Sequence, residues 1–155
     1  MNTQIKESKS IKADLAVELG RSMSELRNYV RQYIQVKIKE NGCNITFEML
    51  EVMSCLWKKD GVNQQEIADL TLRDKSSMTY LLDNLVKRKL VKRVEDENDR
   101  RNKLIYLTNE GIKLKETLNP WVAEVYDIAS EELAIENLQN SLTLINRMIA
   151  KLKKE

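Results

Sequence analysis

The stretch LVKRVEDENDRRNKLIYLTNEG, residues 90–111, decides the fold. Two runs in it, Leu90–Val94 and Lys103–Leu107, depart from the helical period and read as strands. Between them Glu95–Asn102 is polar or charged throughout, so the stretch predicts a hairpin with a protruding loop. Immediately upstream the period changes to that of a helix. From Lys75 to about Lys89 the apolar residues Met78, Leu81, Leu82, Leu85 and Val86 form one stripe, and Asp74 is placed to cap its start. A shorter helix carrying Ile67, Ala68 and Leu70 precedes it, opened by Asn63 with Glu66 three residues on, a spacing similar to a capping box. The turn Thr71–Arg73 joins the two helices, and that succession predicts a helix-turn-helix.

Farther out the chain is helical on both sides. Ile11, Leu15, Leu19, Leu26, Val30, Ile34 and Ile38 recur at steps of four or seven, predicting one amphipathic helix from Ile11 to about Lys39 that ends at Asn41-Gly42. Thr46 then caps a helix bearing Met49, Leu50, Val52, Met53, Leu56 and Trp57, which stops before Asp60-Gly61. From Asn109 to Lys154 the sequence is helical again, with Pro120 as a kink or first-turn residue. There Ile135, Leu138, Leu142, Ile145, Ile149 and Leu152 alternate steps of three and four. Such a stripe faces either the core of a bundle or a second subunit. Leu15 and Leu19 at one end and Leu138, Leu142, Ile145, Ile149 and Leu152 at the other have little but a second copy to pack against, so a homodimer is expected.

The expected fold class is therefore mainly α with a small β-hairpin wing. It is a single domain over 1–155, with a winged helix-turn-helix at about 46–108 flanked by long dimerisation helices at about 11–40 and 109–154. Only 4 Gly and 1 Pro in 155 residues agree with long helices and few turns. The absence of His and the separation of Cys43 from Cys55 exclude the usual zinc and haem ligand sets and the common nucleophile pairs. No Gly-rich phosphate loop occurs, and the loop carboxylates Asp96 and Asp99 lack the burial that acid catalysis needs. No cofactor, metal or enzymatic activity is expected. The start MNTQIKESKSIKADL lacks an apolar stretch, so a soluble, cytoplasmic protein without membrane association is expected.

Net charge is +2, yet its distribution is uneven. Residues 1–70 carry 10 positive and 10 negative groups, 71–103 carry 10 and 6, and 104–155 carry 6 and 8. The excess of cations thus falls on the helix-turn-helix and hairpin, as a nucleic-acid footprint would. With Met78, Leu82 and Leu85 turned inward, a rotation of about 100° per residue places Ser76, Tyr80, Asp83, Asn84 and Lys87 outward and Ser77 and Thr79 on the flanks. Small hydrogen-bonding side chains on the first exposed turns, beside Lys75, suit entry into a major groove.

The hairpin resembles the hallmark of the MarR family of winged-helix transcriptional regulators: Asp, any residue, Arg, five residues, Leu-Thr, two residues, Gly. Asp99, Arg101, Leu107, Thr108 and Gly111 match it in full, and the resemblance extends over about residues 11–153. It implies a homodimer on double-stranded DNA at a pseudo-palindromic operator, and a repressor is expected rather than an activator because a dimer covering a promoter excludes polymerase without any other contact. It also implies that the helix from Lys75 reads the major groove while Arg101 enters the minor groove, its guanidinium held by Asp99. Arg100 and Lys103 would add phosphate contacts, opposed by Glu95, Asp96 and Glu97. Two positions depart from the family pattern. Lys89 stands where Gly is common, at a cost of roughly 1 kcal/mol if the backbone there is left-handed, and Tyr80 stands where many relatives have Arg.

The resemblance further implies a small, often aromatic, effector in a crevice between the dimer helices and the winged module. Met49, Met53, Trp57 and Trp121 are placed to line it, unless at helical spacing they belong to the core. Two other readings stay open: an oxidant sensor using Cys43 or Cys55, inert thiols being the simpler account, and a helical module docking an acidic protein.

Overall fold

The computed structural model describes residues 2–153, with side chains described from Lys9 onward. The elements are α1 (Asn2–Glu40), α2 (Phe47–Lys58), β1 (Val62–Asn63), α3 (Gln64–Leu70), α4 (Lys75–Lys87), β2 (Val91–Glu95), β3 (Lys103–Leu107), α5 (Asn109–Ser130) and α6 (Ile135–Leu152). The fold is mainly helical with a small antiparallel sheet ordered β1-β3-β2. The hairpin β2-β3 pairs Val91 with Leu107 and Glu95 with Lys103, in agreement with the sequence. A third strand was not expected: Val62 and Asn63 pair with Ile105 and Leu104, and two residues are too short to carry a periodic signal. Among the described residues no helix is long and apolar enough to cross a membrane.

Side-chain caps open the helices where expected. Thr46 accepts from the Met49 amide, Asn63 from Glu66, Asp74 from Ser77 and Thr108 from Gly111. The capping box at Asn63 is only half formed, because the Glu66 carboxylate pairs with Lys59 instead. Three helices close alike, with a left-handed residue after the last turn: Gly42 after α1 (φ 63°), Leu72 after α3 (φ 52°) and Lys89 after α4 (φ 59°). At α4 the Leu90 amide donates to the Leu85 carbonyl and the Lys89 amide to Val86. The helix therefore ends at Lys87 rather than Lys89, and Lys89 occupies the left-handed conformation that favours glycine.

The core is built on α2 and α4, whose Met49, Leu50, Val52, Met53, Leu56, Met78, Leu82 and Leu85 pack with Ile67, Val91 and Ile105. Among the described residues of α1 only Val30, Ile34 and Ile38 are buried, and from α5 Leu118 and Val125 join them. Helix α1 begins at Asn2, not Ile11; its first turns are polar and offer no apolar period to read. Helix α5 continues through Pro120, and the chain breaks instead at residues 131–134, where neither Gly nor Pro signals it.

The segment linking the wing to the core is tightly organised. The Leu107 amide donates to Asp60 Oδ1 (2.8 Å), and the Thr108 hydroxyl donates to the Lys89 carbonyl (2.6 Å) while capping α5. Trp57 Nε1 donates to the Gly111 carbonyl (2.9 Å). Leu107, Thr108 and Gly111 thus join β3, the end of α4 and α2 at one point.

Helix α6 buries none of its residues. Leu142 is 61% exposed and Leu152 73%; Leu138 and Ile149 are also exposed, and Ile145 is half-buried. Leu15 is 63% exposed, and Leu19 half-buried. Of the two readings of the α6 stripe, the core-facing one does not hold within the chain.

Candidate nucleic-acid interface

Helix α4 presents an exposed stripe opposite Met78, Leu82 and Leu85. Ser76, Tyr80, Asp83 and Lys87 follow one another along it at steps of three and four, with Lys75 at its start. All five are exposed. The helix start is fixed by Asp74, whose carboxylate accepts from the Ser77 amide (2.7 Å) and the Ser77 hydroxyl (3.0 Å). These bonds hold the Asp74 carboxyl below its ordinary value. Their stabilisation is present above the ordinary carboxylate range and is lost as pH falls through the lowered value.

Three residues expected to meet bases use their polar groups within the protein. The Ser77 hydroxyl is taken by Asp74. Thr79 donates to the Lys75 carbonyl (2.9 Å) and accepts from Gln64 Nε2 (2.7 Å), fastening α3 to α4. Asn84 donates to the Tyr80 carbonyl and accepts from Arg88 Nη1, both at 2.9 Å. Arg88 Nε in turn donates to the Asn44 carbonyl, anchoring the end of α4 to the start of α2. These contacts make Ser77, Thr79 and Asn84 organisers of helix α4.

The wing loop carries Arg100 and Arg101 exposed, with Lys103 exposed at the start of β3. Among the described residues no carboxylate pairs with any of the three. Asp99 was expected to hold the Arg101 guanidinium. Its Oδ1 instead accepts from the Arg101 backbone amide (3.0 Å), a local turn that sets the main chain and leaves the guanidinium free. Asp96 acts likewise on Asn98 (2.9 Å), and the Asp96 amide donates to the Asn102 carbonyl (3.0 Å) to close the loop. The acidic residues of the wing thus shape it, a role that composition did not reveal. An ion pair the sequence did not suggest, Asp83 to Arg93 at 2.7 Å, ties the α4 stripe to strand β2 at the base of the wing.

The expected effector crevice is corrected. Met49 and Met53 are 3% and 0% exposed, Trp57 is bonded to Gly111, and Trp121 packs on the core. A groove of about 340 Å³ lies instead where Val30 and Ile34 of α1, Leu50 and Cys55 of α2, Leu72 after α3 and Tyr126 of α5 converge. None of the four expected residues lines it. At this groove Glu51 pairs with both Arg27 and Arg73, joining α1 to the helix-turn-helix turn. Burial pushes the Cys55 thiol up, against the opposing charge of Lys58, which disfavours the reactive thiolate. Cys43 is half-buried like Cys55.

Comparison with known proteins agrees with this geometry. The MarR family model matches residues 45–103. The HTH-type transcriptional regulator FarR of Neisseria gonorrhoeae is 32% identical over 114 residues, covering 74% of this chain and 75% of that protein. The crystal structure of a MarR transcriptional regulator from Methanosarcina mazei is similar at a TM-score of 0.78 with 27% identity, over 86% of this chain and 97% of that one. The Streptomyces coelicolor regulator PcaV, in complex with its natural ligand, is similar at a TM-score of 0.64 with 23% identity, over 88% and 89% of the two chains.

Proposed function

The chain belongs to the MarR family of DNA-binding transcriptional regulators, and from that premise we propose that it is a ligand-responsive repressor binding a pseudo-palindromic operator as a homodimer. The observation that carries this reading is the set of exposed cations and hydrogen-bonding side chains on α4 and the wing. Lys75, Ser76, Tyr80 and Lys87 enter the major groove on a helix braced from within by Ser77, Thr79 and Asn84. Arg101 enters the flanking minor groove, where a guanidinium meets concentrated negative potential, and Arg100 and Lys103 contact phosphates. A dimer places two such helices on half-sites about one helical turn apart. A repressor role needs only that this dimer cover a promoter.

Ligand response is supported by the groove between α1, α2 and α5 and by the ligand that PcaV binds. An effector acts there by binding better to a dimer whose reading helices are wrongly spaced for successive grooves. The experiment is capture of genomic duplex fragments by the purified protein at two salt concentrations, beside Arg101→Ala. Enrichment of a few inverted-repeat fragments, weakened by salt and by the substitution, is the expected result. Retention of no fragment even at low salt would overturn the reading and favour an acidic protein partner.

A further inference from the structure

Asp83 is the one acidic residue in α4, and it stands on the exposed stripe between Tyr80 and Lys87. A carboxylate there faces repulsion from every phosphate the surface approaches. Its Oδ1 lies 2.7 Å from Arg93 Nη1, with side-chain exposures of 58% for Asp83 and 25% for Arg93. Arg93 belongs to β2, opposite Ile105, so it reaches the helix from the sheet and not from the mobile end of a long surface arm. A half-exposed pair of this kind contributes little to stability, which leaves its place on the reading face to be explained otherwise. The pairing has two physical consequences. Arg93 offsets the charge that would otherwise oppose DNA, and it fixes the direction of a carboxylate that remains more than half exposed.

We propose that Asp83, oriented by Arg93, is a specificity-determining residue whose exposed carboxylate accepts from the exocyclic amino group of a cytosine in the major groove. A carboxylate only accepts, so it suits an edge that offers a donor. Cytosine presents its N4 amino group there, whereas adenine sets the N7 acceptor beside its amino group and guanine and thymine offer acceptors. The inference rests on the reading of α4 as the major-groove element.

The test is selection of duplexes from a pool randomised across both half-sites, using the full-length parent, Asp83→Asn and Arg93→Gln, each checked for cooperative melting. Asp83→Ser replaces Asp83→Asn if the latter does not fold. The parent is expected to fix one cytosine in each half-site. Asp83→Asn should lose about tenfold of the discrimination at that position alone, since asparagine both donates and accepts. Arg93→Gln should weaken the preference for the cytosine and also bind every duplex more weakly, the Asp83 carboxylate being neither oriented nor offset. Unchanged discrimination in Asp83→Asn, or a loss spread equally over all positions, would overturn the inference while leaving the α4 reading intact. A parent that selects no sequence would overturn both.

Discussion

Gly111→Ala is expected to destabilise the protein by about 2–3 kcal/mol, or to prevent folding, as overpacking against immovable neighbours does. A Cβ at this position would lie 2.1 Å from the Leu90 carbonyl oxygen and 3.2 Å from its carbon. That carbonyl cannot retreat cheaply, because it accepts from the Thr108 amide at 3.1 Å. Nor can the glycine move away, since its own carbonyl receives the Trp57 indole proton. Its φ is ordinary, so close approach alone imposes the absence of a side chain. Gly20→Ala is the control: it sits in α1 with nothing within 4 Å of an added Cβ, and alanine should stabilise the helix by up to about 1 kcal/mol. Urea midpoints check both, and an unshifted midpoint for Gly111→Ala would contradict the account of the Leu107–Gly111 segment.

The second large effect is expected from charge placed on α6. Leu142→Glu together with Ile149→Glu should convert the protein from twice its 18.1 kDa chain mass to the single mass in light scattering. Helix α6 has 18 residues and buries none of them. A lone helix of that length is marginal in water, so its apolar stripe needs a partner, and the stripe of a second copy is self-complementary under two-fold symmetry. Each half-site is then bound independently, and operator affinity should fall by at least about a hundredfold through loss of effective concentration. The isolated winged module should still melt cooperatively, because the core centred on α2 and α4 does not include α6. A double variant that keeps the dimer mass and full affinity would contradict this assignment of the subunit interface.

How far the sequence discloses such a molecule depends on the range of the interactions involved. Helical period and cap residues placed α2, α3 and α4 to within two residues, because both signals lie inside each element. The end of α4 was read late since Lys89, not glycine, takes the left-handed position; Leu72 does the same after α3. Strand β1 escaped because its only signal is pairing with residues more than 40 positions away. The exposed stripe Ser76, Tyr80, Asp83 and Lys87 was legible from 3.6-residue periodicity. What Ser77, Thr79 and Asn84 do was not, as it depends on Asp74, Gln64 and Arg88 from outside the stripe. For Met53 and Trp57 chemical character suggests a crevice and helical spacing with Leu50 and Leu56 suggests the core, and the structure bears out the second.

The central claim is that the cations of α4 and the wing meet phosphates from two protomers at once. The most direct measurement is the affinity of the parent and of Arg101→Ala for one enriched duplex across a series of salt concentrations. Release of counterions predicts a log–log slope of about −5 or steeper for the parent, reduced by about 2 in the variant because each dimer loses two charges. A slope near zero, or one that the substitution leaves unchanged, would contradict the claim.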